Sequence, residues 1–459
     1  MADKGVYRSP ALSGPQLEDF RRLNQELKFR CSEEELQGMA KIMEGVTAAY
    51  QRVSELPDTS LPVVRYPRTP GYKPRPDDNP YNAWAWKCDI RGAAEGKLSG
   101  RTVGIKDNIA VAGVPMRCGS KILEHYVPEF DASIVTRILD AGGHIVGKTA
   151  VEDMCMSGSS VTSADGPVTN PHDVTRTAGG SSCGSAVLVA CGLVDFAIGG
   201  DQGGSVRIPA SFTGIVGLKP TYGLVPYTGA WAGEPTVDHL GPMARTVADC
   251  ALLLEVIAGY DDGRDPRQFP NTTVPEYSKL KVGLLKEGFD SCTEDIVKTI
   301  VRDASNKLTE AGMTVAELSI PLHRDGVGYF AKGFYPVSLL EAMHRGISAQ
   351  PHDLHPLVKF RCLSGEYMTQ TYGRSNKFYA KANNLVMELT HLYQHAESMC
   401  DNVMPFNITG HPALTINAGF APTDDGKQLP VGMMIVGRKF DDVTVLQVAR
   451  AVEKMTTRD

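Results

Sequence analysis

The chain lacks an apolar run long enough to cross a bilayer; the best candidate, Ala186 to Ile198, is short and carries Asp195. It opens on MADKGVYRSPALSGPQLEDFRRLNQ, which has no basic-then-apolar leader pattern. Its ten cysteines include no CxxC pair and no even spacing, which argues against a disulfide framework or a zinc ribbon and for reduced thiols. Lys and Arg form no run or stripe, and with a net charge of −6 direct binding of nucleic acid is not expected; a tRNA could dock only through a local patch or a partner. Internal repeats and low-complexity tracts are also missing. These absences together predict a soluble, cytoplasmic protein that needs neither metal nor membrane.

What is present is ample material for a core: 459 residues, 42% of them hydrophobic. Leu17 to Val53 is charged and punctuated by Leu and Met, and Ser32-Glu33-Glu34-Glu35 can cap a helix, so two or three amphipathic helices are expected there. Leu56 to Pro80 is Pro-rich and reads as an extended linker. Beyond it, strand-like and helix-like segments alternate. Strands are expected at Thr102–Ile105, His144–Gly147, Lys281–Leu285 and Val431–Val436. Helices are expected at Ser133–Ala141, Gly184–Cys191, Val247–Ala258, Thr293–Ala311 and Asp442–Lys454. Such alternation points to an α/β domain with a mixed or parallel sheet covered by helices.

Between Gly179 and Ser211 lie two Gly/Ser clusters separated by an apolar run. Glycine lets other atoms approach the backbone, so such a loop can aim several N–H groups at one small anion. A flexible linker would not carry the apolar run. Two familiar spellings occur nearby, and each sits in the wrong context. Gly142 to Thr149, GGHIVGKT, fits a phosphate loop, but an amphipathic helix precedes it where a strand is required. Gly180 to Gly184, GSSCG, fits the nucleophile elbow of α/β-hydrolases, with His239 and His411 as available partners. The elbow needs a buried strand leading into Ser182, and DVTRTAG at Asp173–Gly179 reads as a polar loop. His391 and His395 have helical spacing but no third ligand, and read as a solvated face. Lys106 ends an apolar strand-like run. Burial lowers a lysine's proton affinity and can make it a base, although for a lysine taken alone a salt bridge or a snorkelling side chain is the simpler account.

Four ordered motifs give Lys106 its partners. VGIKDN around Lys106, GGSSCGSA at Gly179–Ala186, GGDQGGSVRIPA at Gly199–Ala210 and GIVGLKPTYGLVP at Gly214–Pro226 together resemble the amidase signature family. The resemblance runs from about Lys97 to the C-terminus and extends to NITGHPALTINAG and LPVGMMIVG. It implies an α/β fold whose mixed central sheet has helices on both faces. A helical N-terminal appendage and linker over residues 1–78 would precede an amidase domain over 79–459, which looks shortened around 320–405. It implies a triad of nucleophile Ser205, bridging Ser181 behind a cis Gly180–Ser181 bond, and base Lys106.

By the same resemblance, backbone N–H groups of Gln202, Gly203, Gly204 and Ser205 would form the oxyanion hole. Ser182, Asp201 and Arg207 would support the site, surface ion pairing being the plainer role for the last two. Cys155, Met156 and Ser157 would approach the acyl group, or simply pack. Cys183 stands where many relatives carry glycine, and a nucleophilic role for it is a remote alternative. The implied reaction converts small carboxamides to carboxylate and ammonia through an acyl-enzyme, without a cofactor.

The GDQGGS variant and the appendage look most like the nitrile-pathway amidases, in which the appendage would mediate homodimerisation; plain packing over the core is the alternative. Two other functions stay open. One is the glutaminase subunit of a tRNA-dependent amidotransferase, which would need a partner subunit. The other is a non-catalytic interaction protein on a damaged amidase scaffold, suggested by the shortened segment.

Overall fold

A computed structural model describes residues 15–27, 31–55, 63–231, 233–261, 263–265, 267–268, 281–290, 292, 294–310, 313–319 and 402–456. It divides into two compact units, Met1–Pro62 and Val63–Asp459. In the first, helices α1 (Leu17–Leu27) and α2 (Glu33–Glu55) occupy the segment expected to be helical. The start of α2 is a reciprocal capping box: Ser32 Oγ accepts from the Glu35 amide at 3.2 Å, and Glu35 Oε2 accepts from the Ser32 amide at 2.6 Å. Arg21 pairs with Glu33 and so ties α1 to α2.

The second unit is built on an eight-stranded mixed sheet. Its strands are β1 (Trp84–Arg91), β2 (Thr102–Lys106), β3 (His144–Thr149), β6 (Phe196–Asp201), β7 (Val216–Lys219), β8 (His239–Ala244), β11 (Ala413–Pro422) and β12 (Gln428–Val436). They run in the order β1-β3-β2-β6-β8-β7-β11-β12. Only the trio β3-β2-β6 is parallel; the remaining pairings are antiparallel. Two small sheets stand apart, one of β4 (Thr169–Asn170) and β5 (Asp173–Thr177), the other of β9 (Lys281–Leu285) and β10 (Thr314–Leu318).

Both faces of the large sheet are covered. Val103 and Ile105 of β2, with Phe196 and Ile198 of β6, share one core with helices α3 (Ser133–Asp140), α6 (Val247–Ile257), α8 (Asp295–Glu310) and α10 (Asp442–Thr456). Ala197 and Met243 face the other core, with α4 (Cys183–Ala190) and α5 (Arg207–Thr213). Short helices α7 (Lys286–Asp290) and α9 (Pro405–Ile408) complete the described elements. Alternation along β2 therefore sends Gly104 and Lys106 to the α4 side, away from the larger apolar core.

Every strand and helix expected from the sequence in the described residues is present within a few residues of its expected ends. Four strands of the large sheet, β1, β7, β8 and β11, go beyond those expectations, and β6 lies in what the sequence presents as the end of an apolar run. One reading is corrected. Asp173–Thr177 is not a loop but strand β5; it is an edge strand with Val174 exposed, and it stops before Ser182, so it does not supply the buried strand of an elbow. GGHIVGKT has the context expected of it: Gly142, at φ 82°, and Gly143 close the end of α3, and the rest is β3. His391, His395 and residues 320–401 of the segment expected to be shortened around 320–405 lie outside the described residues.

Candidate active site

The three parallel strands end side by side at Lys106, Thr149 and Asp201, and the polar cluster forms at this carboxyl edge. Open α/β sheets commonly place their ligand sites at such an edge. Lys106, at the last position of β2, is fully buried; its Nζ donates to Ser181 Oγ at 2.7 Å and to the Gly200 carbonyl at 3.2 Å. Lys106 Nζ and the side-chain nitrogens of Asn108 and Gln202 gather beside Gly200, 3.5–3.6 Å from where its Cβ would stand.

Ser181 follows a cis Gly180–Ser181 peptide bond at the approach to α4. Gly184 brings that helix close, because a Cβ would strike the Ala83 carbonyl and the Ala150 backbone at 2.3–2.4 Å. Ser185 then bonds to Thr149 Oγ1 at 2.6 Å and to the Ile198 carbonyl at 2.9 Å, which fixes α4 against β3 and β6. Ser182 brackets Gly200, its hydroxyl contacting both the carbonyl and the amide at 3.2 Å. The Ser182 amide also donates to the Ser205 carbonyl at 3.2 Å, joining the two Gly/Ser clusters. Ser205 is 8% exposed, whereas Lys106, Ser181 and Ser182 are 0% exposed, so it is the member of this group open to a solute.

Asp201 and Arg207 are no surface pair. Both are fully buried; the guanidinium makes two bonds of 3.0 Å to the carboxylate, which also accepts the amides of Gly204 at 2.8 Å and Val206 at 3.1 Å. Burial alone would raise the Asp201 proton affinity, but Arg207 and Asn407 outweigh it and hold the carboxyl well below the usual range. Because Asp201 takes the Gly204 N–H, that group is not available to an oxyanion. The expected set of four donors thereby becomes Gln202, Gly203 and Ser205. Asn407 in α9 bonds through Nδ2 to the Asp201 carbonyl at 2.8 Å and to its carboxylate at 2.7 Å, and accepts from Arg207 at 2.6 Å.

The Cys155 thiol faces Ser181 and Lys106, and burial pushes its pKa up to about 11. Ser157 bonds instead to Ser159 at 2.6 Å and lies beside Glu152, while Met156 packs against the cluster of Met116, Phe130 and Trp231. Of the three residues expected at the acyl group, only Cys155 is thus brought to Ser181. Cys183 is buried with its thiol on the Ala150 and Ser181 carbonyls, and burial raises its pKa well above that of a free thiol. His239 and His411 are both depressed, chiefly by burial; the His239 ring bonds to the Val237 carbonyl at 2.7 Å rather than to a Gly/Ser cluster. Behind Lys106, Asp107 pairs with Lys148 at 3.2 Å.

Several site residues received no role from the sequence. Asn108 Nδ2 donates to the Trp231 carbonyl at 3.1 Å; Tyr227 donates to that same carbonyl at 3.1 Å and accepts from Gln202 Nε2 at 2.8 Å. Asn108 belongs to the VGIKDN motif and Asn407 to NITGHPA, so motif membership was the available signal. Tyr227 and Trp231 carried none. On the other side of Arg207 and Ile208 lies a largely apolar cavity of about 630 Å³, bordered also by Val403, Phe406 and Met434.

This fold and this constellation define a hydrolase acting on amide C–N bonds, and the sequence matches the Amidase family over residues 78–396. The chain belongs to the amidase signature family. An enantioselective amidase of Rhodococcus rhodochrous is 38% identical over 513 aligned residues, covering 96% of this chain and 95% of that protein. A glutamyl-tRNA(Gln) amidotransferase subunit of Methanosarcina acetivorans is 37% identical, covering 81% of this chain and 87% of its own. Among solved structures, the corresponding amidotransferase subunit from Thermotoga maritima is similar with a TM-score of 0.66 at 30% identity, covering 83% of this chain and 89% of that one. No described helix is long and apolar enough to cross a membrane.

Proposed function

We propose that this chain hydrolyses small primary carboxamides through an acyl-enzyme on Ser205, with Ser181 as proton relay and Lys106 as base. The observation that carries the reading is the 2.7 Å contact between the fully buried Lys106 Nζ and Ser181 Oγ. A serine hydroxyl is a weak nucleophile unless a base removes its proton as it attacks. The Ser205 proton passes through Ser181 to Lys106 as the Oγ–C bond forms, and returns to the nitrogen as the C–N bond breaks, releasing ammonia. Water then attacks the acyl-enzyme by the same relay. Backbone N–H groups of Gln202, Gly203 and Ser205 receive the developing oxyanion; one such donor is worth about 3 kcal/mol in the transition state. No step calls for a cofactor or a metal.

Coverage favours the small-amide reading, since the amidase relative spans 96% of this chain and the amidotransferase relative 81% at nearly equal identity. That amidase alignment is longer than this chain, so part of the relative has no counterpart here, in keeping with the shortening proposed around 320–405. The second reading, glutaminase subunit of an amidotransferase, is favoured by the amidotransferase relatives and requires a partner. Ammonia release from a panel including propionamide, benzamide and glutamine separates the two. Hydrolysis of the simple amides by the isolated chain supports the first, and glutaminase activity only with a partner supports the second.

Exposed Leu23, Met39 and Ile42 on α1 and α2 support an appendage that joins two copies. A monomer in sedimentation at micromolar concentration would rule that out.

A further inference from the structure

Tyr227 stands where the segment that follows Lys106 meets the turn that carries Ser205. Its hydroxyl donates to the Trp231 carbonyl at 3.1 Å and accepts from Gln202 Nε2 at 2.8 Å. The direction of both bonds is fixed. A carbonyl can only accept, so the tyrosine proton goes to Trp231 and its oxygen is left to receive the Gln202 amide. The Trp231 carbonyl is itself held in place: it accepts from Asn108 Nδ2 at 3.1 Å, while the Trp231 amide donates to the Asn108 carbonyl at 2.7 Å. Just beyond, Ile109 bridges Ala230, and the Ala110 amide donates to the Gly229 carbonyl at 2.9 Å. Residues 108–110 and 229–231 are thus zipped together immediately after Lys106.

The tyrosine has little freedom of its own. It is buried, its amide donates to Asp265 Oδ2 at 2.7 Å, and Arg267, paired with that carboxylate at 2.7 Å, lies 4.5 Å from the ring centroid. Gln202 is the opposite case. It joins the end of β6 to Gly203 and Gly204, the latter at φ 120°, where the backbone turns easily. Asp201 grips that turn beyond Gln202, at the Gly204 and Val206 amides, and Tyr227 grips Gln202 itself. We infer that Tyr227 is a positioning residue for the oxyanion hole: it locks the Gln202 side chain, and with it the Gln202 N–H, to the segment that follows Lys106. The inference rests on the proposed amidase reaction and says what sets the aim of one of its donors. Donors aimed before charge develops are worth most, because they need no reorganisation in the transition state. Released from Tyr227, the Gln202 N–H has to be ordered at each turnover, a cost that falls on kcat and not on substrate binding.

The experiment measures kcat and KM in the full chain, on the amide of the panel that the wild type hydrolyses fastest, for Tyr227→Phe, Gln202→Met and the double variant. Tyr227→Phe keeps the ring beside Arg267 and removes only the hydroxyl; Gln202→Met keeps the length of the side chain and removes its donor. Each single variant is expected to lower kcat by about tenfold, less than the loss of a whole oxyanion donor, with KM within about twofold of wild type. Both changes break the same bond, so the double variant is expected to stay within about twofold of the slower single variant. Gln202→Met decides the case by itself if Tyr227→Phe does not fold. Losses that multiply to about a hundredfold in the double variant, a near-normal kcat in either single variant, or a loss carried by KM overturns the positioning role while leaving the hydrolase standing. A wild-type protein inactive on the whole panel overturns the proposed activity and this role with it.

Discussion

Lys106 and Ser181, 75 positions apart in the chain, meet with 2.7 Å between Nζ and Oγ because one closes a parallel strand and the other opens onto the helix laid across that strand. The contact is buried from water on all sides, so the lysine has few alternatives to serving the serine. Lys106→Met is expected to slow amide hydrolysis by about a thousandfold, within the range of general-base losses. It should leave the melting temperature level or higher, since an apolar chain replaces a buried polar amine. Initial rates and thermal melts on one preparation check both halves, and a variant with near-normal rates would remove Lys106 from the chemistry.

The proposed nucleophile can be separated from its neighbours by labelling. A fluorophosphonate is expected to modify Ser205, and Ser205→Ala to abolish labelling and hydrolysis. Cys183→Ala should stay within about threefold of wild type, because a buried thiol with a raised pKa holds almost no thiolate at neutral pH. Mass spectrometry of the labelled peptide decides the case.

Gly203 and Gly204 make a paired test of the turn that carries Ser205. Gly204 has φ 120° and a Cβ there would lie 2.4 Å from Val403, so Gly204→Ala should distort the turn and remove labelling at Ser205. At Gly203 the clash, 2.8 Å, is with the flexible tip of Met404, so Gly203→Ala should fold and still label. Equal behaviour of the two variants would contradict the described geometry.

Acid sensitivity should have an identifiable contribution from His411. Burial, helped by Lys439 and Lys219, lowers its pKa to about 4, against about 6.5 in an unfolded chain. Below pH 6.5 the unfolded chain takes up a proton that the fold refuses until about pH 4, so this contribution is full above 6.5 and is lost as the pH falls between those values. Raised carboxyls such as Glu152 and Asp238 act in the opposite direction, so the informative quantity is a difference. The melting temperature of His411→Gln minus that of wild type should rise from pH 7 to pH 4. A flat difference would count against the assignment.

Asp201→Asn tests the buried ion pair. Leaving Arg207 unmatched in the interior is expected to destabilise the protein by about 3–5 kcal/mol. It should also weaken the hold on the Gly204 and Val206 amides, so activity should fall even at temperatures where the variant is folded. Denaturant unfolding alongside rates at low temperature resolves the two effects.

How much of this was legible varies with the range of the interaction responsible. Local signals worked for helices: the Ser32–Glu35 box and the apolar spacing of α3 and α6 placed those elements. The motif blocks singled out Lys106, Ser181 and Ser205, of which the structure brings Lys106 Nζ onto Ser181 Oγ. β6 was hidden because Gly199 and Gly200 look like loop residues, yet both lie in the strand, where a Cβ on Gly199 would stand within 2.9 Å of Val206, Met243 and Ser182. β1 was hidden because WAWKCDIR has no clean alternation, its irregular pairing with β3 breaking the two-residue period. The loss of the Gly204 N–H to Asp201 could not be read at all. It depends on the φ of one glycine and on a carboxylate aimed inward by Arg207, neither of which composition encodes.

The clasp between Asp201 and Asn407 spans 206 positions, and it sets a timetable. A ribosome delivers the strand, the turn and Ser205 first, and supplies the amide that bolts them together only much later. Until then Asp201 and Arg207 have each other but no third hand to hold the turn in shape. The proposed hydrolytic competence would thus arrive near the end of synthesis, and a chain broken off before Asn407 is expected to carry every member of the proposed triad and remain inert.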